Sequence, residues 1–341
     1  MTPQICTDAS PTEKFLLYER EIAARLQSRN LRTQRYARYE QALIQKSHFV
    51  RLNGAVHHYH DSHPDAPADM PTIILIHGWD CWWMWWHEVI AYLNQSGVRT
   101  IAYDLKGHGW SDEGEDYSLS ALSLDLHALV QHLGLKRYHI AAFSLGSFVA
   151  LNYAQRFEDE ISSLTFFNFG IFPNSAQLEK IIPTAIPFIF DKILRKIKIW
   201  WLIYAYARLT LARNHTSKEN ILVGVNSLRF ISGKAIRETA KALAKREVTE
   251  NLPKQIANLS IPVLLVAGKG DQVVSWKHTK ALYEYARNGR FELIKKCGHL
   301  ITLELPKRTA ELILSQMQLA SPTLSTTPLQ NTLPTSSKKN L

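Results

Sequence analysis

Cysteine is scarce in this 341-residue sequence: Cys6, Cys81 and Cys297 are odd in number and far apart. They build no disulfide framework and no paired-thiolate metal site, so a reducing compartment is expected. Long apolar runs are missing too. No stretch of about 18 apolar residues occurs; the nearest, Ile199 to Ala212, is short and contains Arg208. Met1 to Lys14 has no basic start followed by an apolar stretch, so no secretory signal is visible there. These absences make the chain read as cytoplasmic.

Acidic residues are outnumbered, 30 Asp and Glu against 40 Lys and Arg, for a formal charge of +10. The excess is not evenly spread. Phe172 to Gln255 holds 15 Lys and Arg against 6 Asp and Glu, nine of the ten excess charges. A basic solvated surface is the plainer reading, and no nucleic-acid partner is expected. A peripheral dock onto anionic membrane is the sharper one. It is motivated by Ile193, Leu194, Ile197, Trp200 and Trp201 at helical spacing, interleaved with Lys192, Arg195, Lys196 and Lys198. Arg25, Arg29, Arg32, Arg35 and Arg38 recur every three or four residues, roughly along one helical face.

Along the chain, Pro11 to Ser47 reads as helical, giving an N-terminal extension over residues 1–47. Phe49 to Tyr59 reads as a hairpin turning at Asn53-Gly54. Short β-branched runs then alternate with helical segments. Strands are expected at Thr72–Ile76, Val98–Tyr103, Tyr138–Phe143, Ser163–Phe167, Pro262–Ala267 and near Phe291–Lys295. Leu119 to Leu133 reads as a helix, with Ser118 as N-cap and Gly134 past its end. The pattern predicts an α/β fold, a mostly parallel sheet with helices on both faces, over residues 48–171 and 256–320. Residues 172–255 show no strand and read as a helical insertion. The tail 321–341, rich in Ser, Thr, Pro and Asn, has little to bury and is expected to be disordered.

The chemistry sits at strand ends. Ala142-Phe143-Ser144-Leu145-Gly146 joins a strand to a helix, a turn that lifts a nucleophile above the sheet and demands small residues two before and two after it. His77-Gly78-Trp79 follows another strand, and its Gly lets a main-chain N–H face a reacting carbonyl. The amides of Trp79 and Leu145 are therefore candidate oxyanion donors, each worth about 3–4 kcal/mol. His77 itself reads as a hydrogen-bonded structural residue. Downstream, Asp271 follows the strand Pro262–Ala267, and His299 follows the last strand. A serine hydroxyl needs a neighbouring histidine to take its proton, and the histidine needs a carboxylate to fix its tautomer. The order Ser144, Asp271, His299 suits such a triad.

These motifs resemble the α/β-hydrolase superfamily in its capped serine-hydrolase branch, over roughly Phe49 to Met317. Asp104-Leu105-Lys106-Gly107-His108-Gly109-Trp110-Ser111 resembles the family's loop after the fourth strand, and the pairing of His-Gly-Trp with Ser-Leu-Gly resembles bacterial carboxylesterases. The resemblance implies Ser144, Asp271 and His299 as triad, Trp79 and Leu145 as oxyanion hole, and 172–255 as a cap. Epoxide hydrolases and haloalkane dehalogenases of this fold place Asp where this chain has Ser144. Asn168 stands where some relatives put the acid; with Asp271 present it reads as a polar strand-end residue.

The expected function is hydrolysis of a carboxylic ester or thioester with an apolar acyl or aromatic part, through an acyl-enzyme on Ser144, without metal or organic cofactor; carbon–carbon bond hydrolysis, peptide hydrolysis at a free N-terminus and acyl transfer use the same triad. Of the cluster Trp82, Trp83, Trp85 and Trp86, part is expected to line an apolar pocket; Trp82, Trp83 and Phe143 are the substrate-binding candidates. His57, His58, His60 and His63 alternate along a strand and so do not converge on a metal. The alternative from another class is a non-catalytic relative that binds a hydrophobic ligand or serves a membrane pathway.

Overall fold

A computed structural model of the chain describes residues 9–172, 176–189 and 216–321, with the isolated positions 202, 205, 207, 212 and 329. The basic, apolar stretch Lys192 to Trp201 lies outside the described residues, as does the tail apart from Ser321 and Leu329.

Eight strands form one sheet in the order β1-β2-β4-β3-β5-β6-β7-β8. They are β1 (Ser47–Leu52), β2 (Ala55–Asp61), β3 (Thr72–Ile76), β4 (Arg99–Tyr103), β5 (Tyr138–Phe143), β6 (Ile161–Phe167), β7 (Val263–Gly268) and β8 (Gly289–Ile294). The β1–β2 and β2–β4 pairs are antiparallel and all others parallel. β3, β4, β5 and β7 are buried along their whole length, which is why they read as unbroken apolar runs. The hairpin turns at Asn53 and Gly54, with φ 46° and 87°. Both are left-handed, as a two-residue turn between right-twisted strands requires.

Helices cover both faces. One face carries α3 (His87–Gln95) and the C-terminal helix Pro306–Ala320; its apolar layer includes Trp82, Trp83, Trp85, Trp86 and Ile313. The other carries α4 (Leu119–His132), α5 (Leu145–Phe157) and the helix Leu252–Asn258. Ser118 caps α4 by accepting from the Ala121 amide, and Gly134 follows with φ 61°.

The N-terminal segment is not one helix. It breaks into α1 (Pro11–Leu26) and α2 (Leu31–Gln41), and β1 already begins at Ser47. The break lets α2 fold back so that Arg25 meets the fully buried Glu40 at 2.6 Å. Arg25 is therefore not part of a solvated arginine face; Arg29, Arg35 and Arg38 are exposed. α1 is held to the core by the buried pair Lys14–Asp112 and by Tyr18 stacked on Trp110 at 4.4 Å.

Between β6 and β7 the described elements are helices, α6 (Ala176–Phe188), α7 (Lys218–Ser227), α8 (Gly233–Ala244), then Arg246–Glu250 and Leu252–Asn258, with an isolated antiparallel bridge between Ile231 and His108. Among the described residues, no helix is long and apolar enough to cross a membrane.

Candidate active site

Ser144 lies between β5 and α5 with φ 50° and ψ −116°, a conformation that costs about 1–3 kcal/mol and persists only where the surroundings enforce it. The enforcement is visible. A Cβ on Gly146 would lie 2.5 Å from the His77 carbonyl, so only glycine lets α5 approach the end of β3 this closely. A Cβ on Gly78 would lie 2.7 Å from the Phe143 ring and 3.2 Å from the Ser144 Cβ. The His77-Gly78-Trp79 turn thus lies directly against the serine. Leu145 N is the first amide of α5, where no intrahelical carbonyl is available to it. Trp79 and Leu145 therefore flank Ser144, one from each turn.

His77 holds its turn in place. The Leu105 amide donates to its Nε2 at 3.0 Å, which leaves the proton on Nδ1 to donate to Gly78 O at 2.8 Å. Burial holds its pKa below the usual histidine value. It is a neutral structural residue.

Asp271 and His299, the candidate acid and base, are in contact. His299 Nδ1 donates to Asp271 Oδ2 at 2.8 Å. The other carboxylate oxygen accepts from the amides of Val273 and Val274, at 2.7 and 2.9 Å. Asp271 is thus fixed before it orients the imidazole, and a proton on Nδ1 leaves Nε2 as the basic nitrogen. The Phe143 ring lies 5.0 Å from the His299 ring, bringing the serine's neighbour against the base.

Three residues here escaped the sequence reading as site residues. Glu304 accepts from the amides of Gly298 and Leu300, bracketing His299, at 2.9 and 3.1 Å. Asn168 bonds the same loop from the opposite side, at the carbonyl of His299. Asp80 follows the His77-Gly78-Trp79 turn with φ 55°; burial pushes its carboxyl up to about 7, against the opposing pull of His299. Glu304 lies four residues from Leu300 and Asp80 directly follows Trp79, whereas the contacts of Asn168 with the His299 loop run across loops.

The tryptophans form a layer rather than a pocket lining as a group. Trp83 stacks on His60 at 4.6 Å and its amide donates to Asp104, so it is core packing against β2. Trp86 packs on Phe167. Trp82 stacks on Phe230, between α7 and α8, at 4.5 Å, and Trp85 stacks on Phe143 at 5.7 Å. Trp85, Phe143 and His299 thus form one aromatic row leading to the site. Along β2, His57 faces Tyr103 and Asp125, while His58 and His60 face Asp104 and Trp83. The strand pleat separates them.

The helical segment between β6 and β7 reaches this turn as well. The Trp79 indole donates to Thr239 of α8 at 2.7 Å, and the Ser232 amide donates to Gly107 O at 2.8 Å.

A family model described as alpha/beta hydrolase fold matches residues 71–306. Human monoacylglycerol lipase ABHD6 is 24% identical over 270 residues, covering 73% of this chain and 75% of that protein. A soluble epoxide hydrolase from Corynebacterium sp. (strain C12) is 27% identical over 281 residues, covering 76% and 93%. A thermophilic esterase from Thermogutta terrifontis superposes with a TM-score of 0.65 at 21% identity, over 80% of this chain and 97% of that one.

Proposed function

The chain belongs to the alpha/beta hydrolase fold family, and from that premise we propose that it is a serine hydrolase cleaving carboxylic esters or thioesters with an apolar acyl or aromatic part. The observation that carries this reading is the 2.8 Å bond from His299 to Asp271 on the same rim as Ser144 at its turn. In it, His299 Nε2 takes the Ser144 proton as Oγ attacks the carbonyl carbon. The amides of Trp79 and Leu145 receive the negative charge that develops on the carbonyl oxygen. His299 then returns the proton to the leaving group, and water repeats the sequence on the acyl-enzyme. The row Trp85–Phe143–His299 and the stack Trp82–Phe230 support an apolar acyl part. The segment 172–255 acts in this reading as a cap, supported by the Trp79–Thr239 bond. Similarity to a monoacylglycerol lipase and an esterase favours oxygen esters, and Ser144 sets the chain apart from epoxide hydrolases with an Asp nucleophile.

A fluorophosphonate probe tests this. Covalent labelling of the parent chain, lost in Ser144→Ala, is expected. A folded parent that stays unlabelled would favour a non-catalytic binder. The p-nitrophenyl esters of increasing chain length would then define the acyl preference.

We also propose that the cap brings the enzyme to anionic membrane surfaces. The chain's positive excess lies in residues 172–255, where Ile181, Phe188, Ile189 and Leu202 are exposed. Co-sedimentation with anionic but not neutral vesicles, weakening as salt rises, is the expected result. The buried free thiols Cys81 and Cys297 support residence on the reducing, cytoplasmic side.

A further inference from the structure

We propose that Asn168 is a positioning residue that sets the acid and base of the triad against each other by fastening both of their loops with one side-chain amide. The inference rests on the serine-hydrolase reading of the site. Asn168 follows β6, the strand between the nucleophile's strand β5 and the acid's strand β7, and is 1% exposed. Its Oδ1 accepts from the amide of Gly268, three residues before Asp271, at 2.9 Å. Its Nδ2 donates to the carbonyls of His299 at 2.8 Å and Gly298 at 3.3 Å. Its own amide donates to Val266 O at 2.9 Å, which fixes the residue to β7.

The amide is satisfied at both ends only when the two loops stand as they do here. A buried carboxamide with an empty end is costly, so the arrangement resists any shift of one loop relative to the other. The loops have little slack of their own. A Cβ on Gly268 would lie 2.4 Å from Gly298 O, and the Gly270 amide donates to Cys297 O at 2.8 Å. Asn168 takes this post with φ 50°, a left-handed conformation that asparagine tolerates better than most residues. An aliphatic residue of similar size would fill the space and hold neither loop. Because misplacement by about 1 Å costs about 100-fold in rate, such a clamp acts on turnover more than on binding.

The test is a double-mutant cycle on ester hydrolysis with the full chain. Asn168→Ala is expected to lower kcat about 10- to 100-fold with KM little changed. In an Asp271→Asn background the same substitution should cost less than about threefold, since the alignment it serves is already lost. Equal fold-losses in both backgrounds would overturn the inference. If the alanine variant fails to fold, Asn168→Asp carries the test. It keeps the volume and the acceptor for Gly268 but turns an anion towards two carbonyls, so parental kcat in this variant at alkaline pH would overturn the clamp. The proton NMR signal of the His299–Asp271 hydrogen bond gives a readout independent of turnover. It should be present in the parent and shifted or lost in the Asn168 variants; an unchanged signal would also overturn the clamp. A parent that shows this behaviour but neither turns over esters nor takes the probe would remove the hydrolase reading and leave the clamp standing.

Discussion

The rim formed by the ends of β5 to β8 and the flank formed by α1, α2, β1 and β2 are held by different physics. On the rim, hydrogen bonds to the main chain do the holding: the Asn168 amide, the Glu304 carboxylate on the amides beside His299, loop amides on Asp271, and glycines that permit close approach. On the flank, full charges are buried. Lys14 pairs with Asp112, Arg25 with Glu40, and Arg99 with Asp61 at 2.5 Å, while His57 and His60 lie buried in β2. In the proposed reaction the His299 imidazole changes charge, and a rim built on further buried ion pairs would impose strong local fields on it. The flank carries no such demand, so it tolerates pairs that hold α1 in one place and make stability sensitive to acid.

The contrast breaks most sharply at the nucleophile. Ser144→Ala should lower kcat by about 10³ to 10⁶, leaving oxyanion and binding effects, with thermal stability near that of the parent. Retention of more than about a tenth of the activity in purified protein would remove Ser144 from the chemistry. Asp271→Asn should cost on the order of 10⁴ in kcat through loss of the correct His299 tautomer. Its circular dichroism spectrum should match the parent's.

Flank substitutions should act on stability instead. Lys14→Met strands Asp112 as an unpaired buried charge and is expected to cost about 3–5 kcal/mol in denaturant unfolding. At temperatures where the variant stays folded, kcat per folded molecule should be close to the parent's. A kcat loss as large as that of a rim variant would show that flank and site are not separable.

The gentlest test uses pH. Burial holds His57 down to about 4 and His60 down to about 3. Each therefore stays neutral in the fold while the unfolded chain takes up a proton below about 6.5. Their contribution is complete above about 6.5 and is lost as pH falls towards the folded values, at about 1.4 kcal/mol per pH unit for each histidine. His60→Phe, which keeps a ring against Trp83, should flatten the acid side of the melting-temperature profile. An unchanged slope between about pH 6 and 4 would mean that His60 does not share in acid sensitivity.

Much of the architecture was legible because it is local. β3 and β5 fall on the expected residues, and the hairpin turns at the expected Asn53-Gly54, since strand runs and turn residues state their geometry within a few positions. Ser144 was legible for the same reason: a strand, a small residue, a serine and a glycine before a helix leave few conformations. The N-terminal extension is helical as expected, but helical spacing persists across the break at residues 27–30, so the fold-back of α2 shows only in tertiary contacts such as the Arg25–Glu40 pair. The individual tryptophans were less legible, because composition records that an indole is apolar but not which neighbour covers it: Trp83 lies on His60 of β2 and Trp82 on Phe230 of the inserted segment.

The sequence by itself determined the α/β alternation, the strand that carries Ser144, and the placing of Asp271 and His299 just past later strands, because each depends on side chains a few residues apart. Tertiary structure alone decided how those pieces are aligned. Asn168 reaches Gly268 and His299 across 100 and 131 positions, and Trp79 reaches Thr239 across 160. A hydrogen bond over such separations leaves no periodicity and no motif in the chain. It exists only once the strands have paired and brought their ends to one rim.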